Sequence, residues 1–421
     1  DIKKGFRPEN LEPRPDRIVV GNVIREVNPE AQAMREAGIP HLSMPEAIAE
    51  FGIGSKHCIV IAGTHGKTTT SALTSHLLRS AGRDPSFLVG GVLVDYPTSF
   101  NVGAGASFVI EGDEYDTAYF DKGPKFRHYR PSTSLISSLE FDHADIFADI
   151  GAVESAFKKL IEATASQGRL VVWRGAERAV ALARECRGGR ELCVYDTEPS
   201  DDVDVYLSKY ETTPDGLVFE PVVYGESYGP MKTAMWGEFS ARNALAALCC
   251  VLDRGLSREE IVKGFASFSG VKRRMEVRGE PRGVVVVDDF GHHPTAVAVT
   301  LAAARKRWPE QRVWAVFEPR SATSRRNHFE SRYIEALGAA DFAVVGHHGR
   351  LKEVPEGKRF SPSRVAEAIV AKGGQALAID GAASIAAHLI EHTHEGDVVI
   401  LFSNGDFEGL HHKLLEGLAA S

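Results

Sequence analysis

Apolar residues in this chain fall into two series of short continuous runs, each run followed by a helical stretch. The first series, from residue 56 to 147, contains "CIVIAG", "SFVIEGDE" and "TSLISSLEFDH", and "RLVVW" continues it. Unbroken apolar strands separated by helical segments predict a parallel α/β sheet covered on both faces. The second series begins near residue 278 with "GVVVVDDFGHHPTAVAVTLAAARKRW", read as strand, loop, and a helix with Pro294 in its first turn. "RVWAVFEP", "FAVVGHH", "QALAID" and "DVVILFSNGD" add strands, so a second doubly wound domain is expected there. Between the series, residues 202–236 alternate with a period near two and turn at Pro214, Asp215 and Gly216, which predicts antiparallel hairpins. Helices are expected in "SARNALAALCCVLDRGL" and in "SREEIVKGFASF", where Ser257 and Glu260 have capping-box spacing. Residues 1–55 offer one strand, "RIVVGN", and one helix, "NPEAQAMREAG", too little for a domain. The division expected is 1–55, 56–277 and 278–421.

Composition narrows the class. A chain of 421 residues exceeds one ordinary core. Its 43% apolar and 25% charged residues suit a globular protein. A net charge of −8 argues against nucleic-acid binding through phosphate contacts, and no apolar stretch approaches the ~20 residues of a membrane span. The five cysteines include no C-x-x-C pair, and Cys249 and Cys250 sit in an apolar helical run, as reduced core thiols do. "DIKKGFRPEN" has no Met and no signal-peptide profile. A cytoplasmic protein is expected, whose true N-terminus lies upstream of Asp1. The Met and Trp positions read as core.

One stretch carries chemistry. In "GTHGKTTT" the backbone N–H groups of Gly63, Thr64, His65 and Gly66 can cradle phosphate at a helix mouth, with Thr69 in the first turn. Lys67 can reach terminal phosphates and Thr68 can meet Mg²⁺; as an exposed loop lysine, Lys67 should contribute little to packing. Ile61 stands where the general G-x-x-x-x-G-K-[ST] pattern has its first glycine. Two further strands end in charge: one at Glu111, Asp113, Glu114 and Asp116, the other at Glu140, Asp142 and His143. Ligands of open parallel sheets gather at such strand ends, and Mg²⁺ beside phosphates needs a carboxylate. Alternatively, the acidic runs are solvated turns and the histidine structural.

"GTHGKTTT", "EGDEYD" followed by "EFDHAD", "GVKRRMEV" and "DDFGHHPTA" resemble, in order and spacing, the motifs of the Mur ligases, over essentially the whole chain. The resemblance implies a three-domain architecture: a truncated N-terminal UDP-binding domain, a central P-loop ATPase domain and a C-terminal Rossmann-like domain. "GDEYDTAYFDKGPKFRHYRP", "LEFDHADIF" and "FEPRSATSRRN" look like the murein-recycling branch. That branch joins the tripeptide L-Ala-γ-D-Glu-meso-diaminopimelate to UDP-N-acetylmuramate at the expense of ATP. A sister branch adding L-alanine shares "DDxGHHPT". The resemblance implies an acyl-phosphate route, with Lys67, Glu111, His143 and Arg274 catalytic and Thr68, Glu111 and His143 as Mg²⁺ ligands. It implies Asn243 near adenine, Arg273 and Arg274 near phosphates, and Asp289 and His292 closing over the nucleotide. The histidine assignment rests on the resemblance alone. The bland readings are a solvated linker for the arginines and a helix-capping loop for the histidines.

Arg320, Arg325 and Arg326 read either as carboxylate recognition or as a basic helix start facing solvent. His347 and His348 stay unassigned, and His411 and His412 read as a surface helix. The role of residues 122–130 is open. Phe239 and Ser240 replace a His-Asn pair usual in relatives. Ser137 and Ser138 stand where relatives carry asparagine, and Asp406 and Glu408 where the recycling branch is glycine-rich. From another class, a P-loop switch or a nucleotide-binding relative without ligase activity would also carry the phosphate loop, but the former leaves "DDFGHHPTA" unexplained.

Overall fold

The computed structural model describes residues 2–144, 146–213 and 215–421. Its central sheet runs, from one edge, Glu226–Ser227, Gly216–Val223, Val205–Thr213, Glu191–Tyr195, Arg169–Trp173, Thr133–Ile136, His57–Ala62, Ser107–Gly112, Ser86–Leu88 and Phe100–Asn101. The strands from Glu191–Tyr195 to Ser86–Leu88 are parallel. His57–Ala62 sits among them because its residues are apolar on both sides. Ile59 and Ile61 pack under the helices Lys67–Ser80, Glu238–Val251 and Arg258–Ser267, whereas Cys58, Val60 and Ala62 pack under Ile150–Ala163 and Glu177–Cys186. The region of alternating period forms the expected hairpins, Val205–Thr213 pairing antiparallel with Gly216–Val223. Of the anticipated turn, Pro214 lies outside the described residues. Ser257 and Glu260 form the capping box.

The second sheet is mixed. Glu276–Gly279 pairs antiparallel with Val285–Asp289, and Val398–Phe402, Val313–Phe317, Phe342–Gly346 and Ala376–Ile379 follow in parallel. Helices cover both faces, as expected of a doubly wound sheet. Alternate strand residues divide between them: Val287, Ala315 and Phe317 face the helices Pro294–Arg307, Glu330–Leu337 and Pro362–Ala371. Val286, Val316 and Leu401 face Ala382–His392 and Leu410–Ala420. The antiparallel edge strand was not anticipated in the doubly wound series, and its pairing begins at Glu276 with Asp288.

At the start of the chain, Ile18–Val20 and His41–Ser43 form a two-stranded parallel sheet with a small core of Val20, Met34 and Ile39. Tyr119 packs on it and accepts a hydrogen bond from Arg35 at 2.9 Å. Four of the five free cysteines, Cys58, Cys193, Cys249 and Cys250, are buried. Met44 corrects the expectation of core methionines: it is 47% exposed, at the solvent-facing start of a short helix. No helix among the described residues is long and apolar enough to cross a membrane.

Candidate active site

The carboxyl ends of the parallel strands open into a cleft of about 780 Å³ that the second sheet closes from above. Its floor is the phosphate loop. Strand His57–Ala62 stops at Gly63, whose φ of +128° only glycine holds easily and whose absent Cβ would lie 2.2 Å from Ser137 Oγ. Gly66 (φ +80°) then starts the helix without any side-chain cap, so the first N–H groups of Lys67–Ser80 face the cleft with no internal partner. Ser137 and Ser138 hold this loop: Ser137 donates to the His65 carbonyl at 2.5 Å, and Ser138 Oγ accepts from the His65 N–H at 2.9 Å. Their hydroxyls, at the positions where relatives carry asparagine, thus shape the loop.

Lys67 is not the free loop lysine anticipated. Its side chain is 14% exposed, donates to the Gly63 carbonyl at 2.7 Å and pairs with Glu114 at 3.2 Å. Burial pulls its pKa down, yet Glu114, Asp113 and Glu111 outweigh that and hold it above its ordinary value. Glu114 is 4% exposed, and its other oxygen lies 3.5 Å from His143 Nε2. One carboxylate therefore bridges the lysine and the histidine, a role that the acidic run did not reveal. His143 has φ +53° and stands against the Tyr115 ring at 5.0 Å.

Thr68 Oγ1 lies 3.2 Å from a Glu111 oxygen, and Arg274 donates to the same hydroxyl at 3.1 Å. Burial, with Asp113 nearby, raises the Glu111 pKa, against which the Gly90 N–H, Lys67 and Arg274 act. Two oxygen donors beside an open helix N-terminus fit Mg²⁺. Asp113 is instead engaged by Lys125 at 2.8 Å and the Tyr115 hydroxyl at 2.8 Å, which links residues 122–130 to the cleft wall.

The opposite wall comes from the last part of the chain. Asp289 accepts from the N–H groups of Met275 and Gly291, and Phe290 lies under the Arg274 guanidinium at 4.9 Å. His292 and His293 both line the cleft, and His293 also caps Pro294–Arg307 by accepting from the Thr295 N–H. Asn243 sits against Gly66, with Oδ1 only 2.5 Å from where a Gly66 Cβ would lie. Beside it the cleft is aromatic: Trp173, Trp236 and Phe239, with the Arg242 guanidinium 4.3 Å above Trp173. Ser240 donates to the Trp236 carbonyl at 2.8 Å.

Of the predicted residues, Thr64, His65, Gly66, Lys67, Thr68, Thr69, Glu111, His143, Asn243, Arg274, Asp289 and His292 line this one cleft. Gly63 shapes it from below. Arg273 is a correction: its guanidinium is committed to Asp288 and to the carbonyls of Ser403 and Gly405, so it braces strand ends. Arg320, Arg325 and Arg326 do not line the cleft either. Arg325 is 8% exposed and paired with Glu353 at 2.6 Å, so its guanidinium is engaged within the protein and does not face solvent. Arg320 lies against Gly405, and Arg326 joins Arg359 in a β-bridge.

Glu140 ties the two sheets. It accepts from Thr295 at 2.9 Å and lies 3.3 Å from His65 Nε2, while Asp142 accepts from Thr323 at 2.6 Å. Burial opposes charge on Glu140, but His65, Thr295 and His293 lower its pKa from 4.5 to about 2. A depressed folded-state pKa means that this stabilisation is complete above the unfolded value and is lost as pH falls from 4.5 toward about 2. Thermal melts between pH 5 and pH 3 are therefore expected to fall more steeply for the parent than for Glu140→Gln. Equal slopes would remove Glu140 from the acid response.

The comparisons agree with this layout. Residues 61–251 match the Mur ligase middle domain, and residues 273–405 match the Mur ligase glutamate ligase domain. The chain belongs to the Mur ligase family. It is 36% identical to the UDP-N-acetylmuramate–L-alanyl-γ-D-glutamyl-meso-2,6-diaminoheptandioate ligase of Escherichia coli (strain K12), covering 100% of this chain and 88% of that one. It is 32% identical to a UDP-N-acetylmuramate–L-alanine ligase of Desulfosudis oleivorans, covering 96% and 85%. A crystal structure of a murein peptide ligase from Psychrobacter arcticus superposes with a TM-score of 0.71 at 29% identity, covering 100% and 89%. As a Mur ligase, the chain is an ATP-dependent amide ligase of peptidoglycan synthesis. That sets aside a P-loop switch and a relative without ligase activity.

Proposed function

We propose that this Mur ligase joins L-Ala-γ-D-Glu-meso-diaminopimelate to UDP-N-acetylmuramate in peptidoglycan recycling in the cytoplasm. The observation that carries the ligation chemistry is the convergence of Lys67, Glu114 and His143 on the phosphate loop, opposite Arg274. The tripeptide acceptor is supported by the likeness to the E. coli enzyme, whose name contains it.

In this reading a carboxylate oxygen of the muramate lactyl group attacks the γ-phosphorus of ATP, and ADP leaves. The tripeptide α-amine then attacks the acyl carbon; the amide forms, the amine loses a proton, and phosphate departs with the former carboxylate oxygen. The loop N–H groups and Lys67 hold phosphate oxygens, Glu114 orients Lys67, and Arg274 approaches from the other wall as positive charge. Thr68 and Glu111 would hold Mg²⁺, which, when bound, neutralises phosphate charge; His143, a nitrogen donor, is the weaker partner for such an ion. Asp289 and His292 close the site over the nucleotide, and water exclusion strengthens each of these charge interactions. Asn243 and the aromatic wall would receive the adenine.

A second reading, free L-alanine as acceptor, is favoured by the likeness to the D. oleivorans ligase. With ATP, Mg²⁺ and UDP-N-acetylmuramate, the tripeptide is expected to give kcat/KM at least about 100-fold above that of L-alanine, a gap of roughly 2.7 kcal/mol. Mass spectrometry of the product checks it. A dominant alanyl product would move the chain to the second reading.

A further inference from the structure

Three side chains at the seam between the phosphate loop and the last sheet have no task in the ligation scheme as a set. Ring nitrogens of His65 and His293 and a carboxylate oxygen of Glu140 all lie within 4.8 Å of one another. They come from separate segments: the phosphate loop, the loop after Thr133–Ile136, and the N-cap of Pro294–Arg307. His293 is only 3% exposed, and its Nε2 has no hydrogen-bond partner. His65 Nε2 is also buried without one, although Glu140 Oε1 is 3.3 Å away. A buried nitrogen left unpaired carries an uncompensated desolvation cost, which a ligand at the centre of the triangle would recover.

We propose that His65, Glu140 and His293 form a binding site for a transition-metal dication of the Zn²⁺ or Co²⁺ class, distinct from the Thr68–Glu111 oxygen pair. Two imidazoles and a carboxylate, with room for a water, are a donor set for such ions, whereas Mg²⁺ prefers oxygen alone. Tetrahedral bonds of about 2.0–2.1 Å place ligand atoms roughly 3.3 Å apart. The His65–Glu140 pair already has that spacing, and the remaining gaps close by small ring movements. There is a cost. Thr295 N–H approaches His293 Nδ1 at 3.3 Å, which puts the ring proton on Nε2. Ligation through Nε2 shifts that proton to Nδ1 and loosens this long cap bond, so affinity falls below that of a preformed site. A bound cation would tie the phosphate loop to the last helix layer and hold the two walls of the cleft together. This inference goes beyond the ligase reading and does not depend on the acceptor.

The test is a Co²⁺ titration of the full chain, without nucleotide and in excess Mg²⁺, followed by visible absorption. One equivalent is expected to give the bands of four- or five-coordinate Co²⁺. In Glu140→Gln and in His293→Asn the affinity is expected to fall at least about tenfold. Gln keeps an acceptor for Thr295, and Asn keeps a capping side chain. Zn²⁺ should likewise raise the melting temperature of the parent but of neither variant. Absence of the bands in the parent overturns the proposal. So do bands that are unchanged in both variants, which would assign the ion to surface histidines such as His388 and His392, whose rings stack at 4.2 Å. If one variant folds poorly, the other carries the test.

Discussion

Replacing Lys67 with alanine is expected to lower ATP turnover by roughly three orders of magnitude. The ammonium lies at the mouth of the helix Lys67–Ser80, where the loop N–H groups alone would remain to hold phosphate. Three carboxylates keep it protonated despite burial, so the loss appears across the whole working pH range. The same carboxylates predict a second effect. Without Lys67, Glu114 is left 4% exposed with His143 as its remaining ion-pair partner among the described residues, and stability should drop by about 1–3 kcal/mol. The variant should therefore melt lower yet cooperatively, and rates need to be compared at a temperature where it is folded. Near-normal turnover in a folded Lys67→Ala protein would remove this residue from the mechanism.

Glu111→Ala is expected to raise the Mg²⁺ concentration needed for half-maximal rate by at least about tenfold, with maximal turnover down roughly a hundredfold. Glu111 contacts Thr68 and takes a hydrogen bond from the Gly90 N–H at 2.5 Å, so its position is fixed before any ion arrives. Removing it also takes away one of the two carboxylates, with Asp289, that attract the Arg274 guanidinium. Stability should change little or rise, because burial already disfavours the charged form of this carboxylate. An unchanged Mg²⁺ titration would exclude Glu111 as a metal ligand.

Both predictions start from residues legible in the sequence, and the reason is local. A strand, a glycine turn and a helix fix the positions of Lys67 and Thr68 within a dozen residues, and the apolar runs before Glu111 and His143 bring those groups to the same sheet edge. What was not legible depends on side-chain direction across long separations. Three acidic residues, Asp113, Glu114 and Asp116, follow Ser107–Gly112, and nothing in their order tells that Glu114 turns inward to Lys67 while Asp113 turns to Lys125. Arg273 and Arg274 are neighbours, yet the backbone sends one to Asp288 and the other to Thr68. The arginines after Val313–Phe317 looked like carboxylate receptors because partners such as Glu353 lie far along the chain. Likewise the edge strand Glu276–Gly279 is short and polar, so its antiparallel pairing left no periodic signature.

Activation of a carboxylate by ATP is the central step of the proposed ligation, and oxygen transfer reports on it directly. UDP-N-acetylmuramate labelled with ¹⁸O in its lactyl carboxylate would be turned over with ATP, Mg²⁺ and the tripeptide, and the released phosphate analysed by mass. One labelled oxygen is expected in each phosphate formed with amide product, and no release when the tripeptide is omitted. Unlabelled phosphate, released whether or not tripeptide is present, would mean that ATP is hydrolysed by water, and would contradict carboxylate activation.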